Sequence, residues 1–269
     1  MSSLVPRLPS HAANTIAQFL RAHALGNGSD GVVIGLSGGI DSALVARLAR
    51  DALGAKHVLG VLLPDARFES ALRAETETYA NDLGVESRTV AIEPVEEAYR
   101  TMLPELADRV ALGNVKARVR MTVLYTIARE CRRLVLGTGN KSELLLGYFT
   151  KYGDGGVDLL PIGDLYKTDV RALAEQLDLP SAVRERPPTA GLWEGQTDEA
   201  ELGISYAHVD QILLGLEQLR GDEEIATITG LPLERVRQVG ERVRRFRHKR
   251  RPPPIPKIRL RTIGIDWRE

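Results

Sequence analysis

Val32-Val33-Ile34-Gly35-Leu36-Ser37-Gly38-Gly39-Ile40-Asp41-Ser42 passes from an unbroken apolar run into a glycine pair, and an acid follows at the start of a helical pattern. An apolar run without polar alternation is what a strand buried on both faces requires, so this stretch predicts a central parallel strand and a helix beginning near Ile40. Two adjacent glycines let the backbone turn tightly and present several N–H groups, and the helix N-terminus adds its positive end. Together they make a phosphate cradle. Ser37 and Ser42 can donate hydroxyls to phosphate oxygens, and Asp41 offers a hard carboxylate suited to Mg²⁺ carried in with the phosphates. The stretch is neither G-x-x-x-x-G-K-[ST] nor G-x-G-x-x-G.

Working outward, further apolar runs occur at 58–63, 90–92 and 134–136, with a weaker fifth strand expected around Leu159-Leu160-Pro161. Helical patterns near 40–53, 69–83, 94–107 and 111–132 supply the crossovers. The expected fold is α/β: a doubly wound, parallel, five-stranded sheet with helices on both faces and a helical C-terminal extension. One domain spans 1–269, divided into an N-terminal helix at 10–25, an ATP-binding core at 30–178, a candidate lid at 184–197 and a helical part with a Pro-rich tail at 198–269. Helical patterns in that last part fall at 206–220, 222–229 and 231–247. Ligands of such sheets sit outside the carboxyl ends of the strands, and Ser37-Gly38-Gly39, Pro64-Asp65 and Gly137-Thr138-Gly139-Asn140 all lie there.

The last of these opens Gly137-Thr138-Gly139-Asn140-Lys141-Ser142-Glu143, again a strand giving way to a helix. If the first and fourth strands are neighbours where strand order reverses, Glu143 faces Asp41 across the crevice and two carboxylates bracket one metal. The plainer alternative is a capped helix start at Ser142, which leaves Glu143 without a role.

Lys plus Arg is 36 and Asp plus Glu is 36, so the chain as a whole carries no field to attract nucleic acid or an anionic membrane. The single cysteine, Cys131, allows no intramolecular disulfide and fits a reducing, cytoplasmic setting. Neither a signal peptide nor a run of about 20 apolar residues is present, so a soluble intracellular protein is expected. The segment 241–251 holds seven Lys or Arg against one acid, Glu241. Such a run is usually a solvated helix face; with only Phe246 interleaved and the charge balanced elsewhere, a nucleic-acid patch ranks below a dinucleotide-phosphate clamp.

S-G-G-x-D-S after the first strand resembles the pyrophosphate loop of the ATP pyrophosphatases, which cleave ATP between the α and β phosphates and leave an adenylate. The run Gly137 to Glu143, continued by Leu144-Leu145-Leu146-Gly147-Tyr148-Phe149-Thr150-Lys151-Tyr152-Gly153-Asp154-Gly155-Gly156, resembles the signature stretch of the ammonia-dependent NAD synthetases. Gly191-Leu192-Trp193-Glu194-Gly195-Gln196-Thr197-Asp198-Glu199 resembles their archaeal-like branch, and the likeness runs from the first strand to His248-Lys249-Arg250-Arg251. The resemblance implies that Gly35 through Ser42 hold ATP together with Thr138, Lys167 and Thr189. It implies further that Asp41 and Glu143 hold Mg²⁺, and that Arg118, Lys151, Asp158, His248 and Lys249 contact nicotinic acid adenine dinucleotide. Asp41, Glu143 and Lys167 are then the catalytic residues of a C–N ligase, and a homodimer is implied.

The expected reaction adenylates the nicotinate carboxylate with ATP, after which ammonia expels AMP and gives NAD. Glutamine hydrolysis needs a nucleophilic cysteine, and Cys131 falls late in a predicted helix, so free ammonia is the expected donor. Water would destroy the adenylate, and 184–197 is the candidate closing segment. Two other readings remain. One is a different ATP pyrophosphatase, such as a tRNA-modifying ligase or thiolase; the other is a non-catalytic ATP-binding module.

Overall fold

A computed structural model describes residues 3–266 except 26, 27, 66, 67, 69, 106 and 194. In chain order the helices are α1 (Ala12–Ala24), α2 (Ile40–Leu53), α3 (Ser70–Asp82), α4 (Glu93–Met102), α5 (Arg109–Glu130), α6 (Lys141–Leu146) and α7 (Lys167–Gln176). These are followed by α8 (Ser181–Arg184), α9 (Asp198–Leu202), α10 (Tyr206–Glu217), α11 (Asp222–Thr229) and α12 (Leu233–Arg245). The strands are β1 (Val32–Gly35), β2 (Val58–Leu62), β3 (Glu86–Thr89) and β4 (Leu134–Leu136), paired in parallel in the order β3-β2-β1-β4. β1 is therefore central, and Val33 pairs with Leu59 on one side and Val135 on the other.

The period of two along β1 divides the core. Val32 and Ile34 pack with Leu20 of α1, Leu44 and Leu48 of α2, and Leu173 of α7. Val33 points to the opposite face, where it meets Val119, Ile127 and Ala128 of α5. Both faces of the strand are thus dry, which is why its sequence is apolar throughout. A separate apolar cluster joins α10, α11 and α12 to Leu146 and Tyr166, and so packs the C-terminal helices against α6 and the start of α7.

Two strand expectations are corrected. Among the described residues the sheet has four strands, because Leu159 makes a single parallel bridge to Leu136 and the chain turns away after Pro161. The third strand is Glu86–Thr89, just before the expected 90–92. β3 lies at the sheet edge, where Glu86, Arg88 and Thr89 are not fully covered and no apolar run is required. Val90 and Ile92 continue its course by donating to the carbonyls of Leu62 (2.9 Å) and Pro64 (3.0 Å). The helix expected over 94–107 stops at Met102, and α5 begins at Arg109 because the Asp108 carboxylate caps it through Val110 N (2.8 Å). Glu69, at the expected start of α3, and Leu106 lie outside the described residues.

Candidate active site

The first wall of the site is the turn from β1 into α2. Gly38 has φ +76°, and a Cβ there would stand 2.5 Å from Leu72 Cδ1 and 2.8 Å from Thr76 Oγ1, so both conformation and space demand glycine. Ser37 and Ser42 hold the turn together. Their hydroxyls lie 3.1 Å apart, Ser42 Oγ donates to Gly39 O (3.0 Å), and Gly39 N donates to Ser37 Oγ (3.3 Å). Gly39 is the N-cap of the 14-residue α2 and brings no side-chain cap, which leaves the first-turn N–H groups turned toward the crevice mouth.

The second wall leaves β4. Because β1 and β4 are adjacent where strand order reverses, α2 and α6 open side by side. Asn140 is the N-cap of α6: its side chain accepts from Glu143 N (3.1 Å), and Asn140 N donates to Glu143 Oε2 (3.2 Å). The cap is therefore Asn140, two residues before Ser142, and a capping box gives one Glu143 oxygen a local reason to be there. The other oxygen looks across the crevice.

Between the two walls stands Lys167, the first residue of α7 and only 2% exposed. Its Nζ lies 2.5 Å from Asp41 Oδ2 and 3.4 Å from Glu143 Oε1, while Asn140 Nδ2 donates to Asp41 Oδ1 at 2.9 Å. The two acids, more than a hundred positions apart in the chain, meet over one cation. Burial pushes the Glu143 carboxyl up to about 8, with Lys167 pulling it down and Asp41 pushing it further up. Burial opposes the Lys167 ammonium, and the Asp41 and Glu143 carboxylates more than offset it, so its pKa is raised.

A pH prediction follows from Glu143. A carboxyl that ionises near 4.5 in the unfolded chain and near 8 in the folded one keeps its proton only in the folded state across that window. Its contribution is fully present below about 4.5 and declines as pH rises toward 8. In chelated buffer, the melting temperature of the wild type should fall relative to Glu143→Gln as pH goes from 4.5 to 8. A pH-independent difference would contradict the environment described for this carboxyl.

The other sequence-derived residues are distributed around this centre. Thr138 lies in the β4–α6 turn, half-buried. Thr189 is exposed, its hydroxyl accepting from Gly191 N at 3.1 Å. Arg118 and Lys151 are brought together, Arg118 Nη2 donating to Lys151 O at 3.3 Å. Asp158 has both oxygens in use, Oδ2 with Val135 N (2.8 Å) and Oδ1 with Tyr125 OH (3.0 Å), so part of its role is to tie off the end of β4. His248 is exposed in the 3-10 turn Phe246–Arg250.

Three cations of the basic segment serve the α6 C-terminus. Lys249 Nζ donates to the carbonyls of Gly147 and Phe149 (both 2.7 Å), Arg250 Nη1 to Leu145 O (3.0 Å), and Arg242 Nε to Leu146 O (3.1 Å). These cations answer the orphan carbonyls and the negative end of the helix that carries Glu143. The other four cations, Arg244, Arg245, Arg247 and Arg251, are exposed.

Sequence reasoning missed three neighbours. Arg186, inside the candidate lid, donates to Gly38 O of the cradle and to Glu75 Oε2 (2.5 Å). Asp198 is 3% exposed and accepts from Tyr206 OH at 3.1 Å, beneath Lys167. Asp210 is fully buried in α10. Arg186 falls in the candidate lid ahead of Pro187-Pro188, Asp198 in the 191–199 run with no role attached to it, and Asp210 in the helical pattern at 206–220. Within 187–197 the chain follows an irregular path, held by Leu192 N to Gln196 Oε1 (2.7 Å) and Asp198 N to Pro188 O (3.0 Å). Glu194 lies outside the described residues.

A parallel sheet whose reversal point sets a glycine turn at a helix N-terminus beside two acids and a buried lysine defines an α/β nucleotide-binding protein. Residues 12–253 match the NAD synthase family. The NH(3)-dependent NAD(+) synthetase of Methanosarcina acetivorans is 47% identical over 250 residues, which cover 92% of this chain and 98% of that one. Among solved structures, the NH3-dependent NAD synthetase from Campylobacter jejuni superposes with a TM-score of 0.78 at 33% identity, covering 91% of this chain and 97% of that one. NMN synthetase from Francisella tularensis superposes with a TM-score of 0.82 at 31% identity, covering 94% and 100%. This chain belongs to the NAD synthase family.

Proposed function

We propose that this protein is an ammonia-dependent NAD synthetase, a C–N ligase that amidates nicotinic acid adenine dinucleotide at the expense of ATP and releases AMP and diphosphate. The observation that carries the reading is the meeting of Asp41 and Glu143 at Lys167 beside the Ser37–Ser42 turn. A plain nucleotide-binding module has no need of that convergence.

ATP lies with its phosphates on the turn and the α2 N-terminus, where backbone N–H groups and the Ser37 and Ser42 hydroxyls meet them. Thr138, Thr189 and Lys167 complete its contacts. The donor set fits Mg²⁺. The oxygens of Asp41 and Glu143 already flank a cation, and Mg²⁺ takes one or two carboxylates and completes its shell with water and phosphate. Asp41 and Glu143 would hold it, and it would supply neutralisation of phosphate charge. Lys167, displaced from the acids, is placed to neutralise the rest.

The nicotinate carboxylate oxygen attacks the α-phosphorus, and the bond to the bridging oxygen breaks as diphosphate leaves. The nitrogen lone pair of ammonia then attacks the carbonyl carbon, AMP leaves, and one proton is released. The protein's part is alignment and charge neutralisation. Arg118 and Lys151, with Asp158, His248 and Lys249, form the dinucleotide side, and the 184–197 segment shields the adenylate from water. Cys131 ends α5 as its C-cap, away from the glycine turn in sequence and fold, which supports free ammonia as the nitrogen source.

The test is diphosphate release and NAD formation with ATP, Mg²⁺ and ammonium. Nicotinic acid adenine dinucleotide should support both. Nicotinic acid mononucleotide is the comparison substrate, because the Francisella tularensis relative is an NMN synthetase; faster turnover of the mononucleotide would replace the substrate proposed here. No diphosphate from either would sink the reading.

A homodimer is supported by α4, which buries none of its own residues in the single chain and exposes Val95, Tyr99, Met102 and Leu103, with Val110 alongside. Sedimentation of the wild type should give twice the chain mass, and a monomer would contradict it. Nucleic acid is not a partner in this reading, since the 36 Lys and Arg are matched by 36 Asp and Glu. Among the described residues no helix is long and apolar enough to cross a membrane. A cytoplasmic location is supported by the single cysteine.

A further inference from the structure

Glu143 and Lys167 stand in the first turns of two different helices, α6 and α7, separated in sequence by a long irregular connection. One main-chain bond joins the two starts, Lys141 N to Leu165 O (2.8 Å), and a carboxylate from a third helix adds a second link. Asp210 of α10 is fully buried, and its two oxygens divide between the helices: Oδ1 accepts from Ser142 Oγ (2.5 Å) and Oδ2 from Thr168 N (2.9 Å). Ser142 Oγ in turn accepts from Lys167 N (2.9 Å), so Ser142, Lys167 and Thr168 all close on the one acid. Two of the three residues of the proposed centre are thereby fixed next door, Glu143 beside Ser142 and Lys167 beside Thr168.

Such an acid is costly as mere filling. An apolar side chain of similar volume occupies a buried site more cheaply than a carboxylate, which must be kept fully hydrogen-bonded to be tolerated. Asp210 has no ion-pair partner among the described residues, and it is balanced by the Ser142 hydroxyl and by Thr168 at the N-terminus of α7. The directionality of those bonds is what a hydrophobic residue could not reproduce.

We propose that Asp210 is a positioning residue for the amidation, locking the first turns of α6 and α7 in the register at which Glu143 and Lys167 meet. Ser142 is its relay. The inference rests on the function proposed above, because it assigns Asp210 an effect on the turnover of that same centre and not on capture of the dinucleotide near Arg118 and Lys151.

Two variants, Asp210→Asn and Ser142→Ala, test it through separate kcat and KM values for NAD formation. Asp210→Asn keeps the shape and one acceptor but loses the second, and a displacement of either turn on the order of 1 Å should lower kcat by about 10²-fold. Its KM for the dinucleotide should stay within about twofold of the wild type, since the groups on that side are untouched. Ser142→Ala breaks the link to Lys167 N while leaving Asp210 on Thr168 N, and should lower kcat by about tenfold at unchanged KM, an intermediate loss expected of an outer hydrogen-bonding partner. A wild-type kcat in Asp210→Asn overturns the inference, as does a parallel change in KM and kcat that marks general loosening. If Asp210→Asn does not fold, Ser142→Ala decides alone: reduced kcat at unchanged KM supports the role, and a wild-type kcat overturns it. Failure of the wild type itself to make NAD removes the proposed function instead, and the two failures are told apart by that first measurement.

Discussion

Asp41→Ala is expected to fold and to lose about 10³-fold in kcat, the scale of removing one preorganised electrostatic group from a site of developing charge. Asp41 is the second residue of α2, and both its oxygens point into the crevice, one to Asn140 Nδ2 and one to Lys167 Nζ. Its loss leaves Lys167 with Glu143 alone at 3.4 Å and halves the carboxylate set. The structural cost is the loss of one partner by a buried lysine, about 3–5 kcal/mol where such a pair is broken, while the burial of Ile40, Leu44, Val45 and Leu48 on the sheet still holds α2. The melting temperature should fall, and well below it circular dichroism should match the wild type while diphosphate release collapses. A kcat within tenfold of wild type would remove Asp41 from the centre.

Gly38→Ala is expected to damage both the fold and ATP binding. An alanine must adopt φ near +76° and place its methyl 2.5 Å from Leu72 Cδ1 and 2.8 Å from Thr76 Oγ1, both on α3. Left-handed strain costs about 1 kcal/mol or more, and overpacking adds roughly 1–3 kcal/mol. Whichever gives way, the turn or α3, the N–H groups of the cradle move, and ATP affinity should fall by about 10²-fold, on the order of what a displacement near 1 Å costs. Gly230→Ala is the control. Gly230 has φ +71° with open space around it, so it shares the backbone strain without the collision and lies at the end of α11. It should lose stability by about 1 kcal/mol and keep its affinity for ATP. Equal ATP affinities in the two variants, measured by calorimetry, would show that the turn tolerates a side chain.

How far the sequence could be read depended on whether each residue's reason was local. β1, β2 and β4 were legible because strands covered on both faces must be apolar, and the glycine turn because left-handed backbone has few occupants. β3 was misplaced because an edge strand is free to be Glu-Ser-Arg-Thr, and the apolar Val90 and Ile92 beside it read as the strand itself. The meeting of Asp41 and Glu143 was legible as a consequence of strand order, once β1 and β4 were taken as neighbours. The capping role of Glu143 was hidden by a start assigned to Ser142 when Asn140 does the work. Lys249 and Arg250 read as free charge because nothing local reveals that the carbonyls of α6, about a hundred residues earlier, lie within reach. Asp210 was invisible for the same reason: its partners, Ser142 and Thr168, are set by packing among three helices and leave no spacing in the sequence.

Activation of the nicotinate carboxylate as an adenylate leaves its mark on the fate of one carboxylate oxygen. Nicotinic acid adenine dinucleotide labelled with ¹⁸O in its carboxylate, turned over with ATP and ammonium, should deliver one labelled oxygen to the phosphate of AMP for each NAD formed. Label in inorganic phosphate, or AMP free of label while NAD accumulates, would rule out the adenylate.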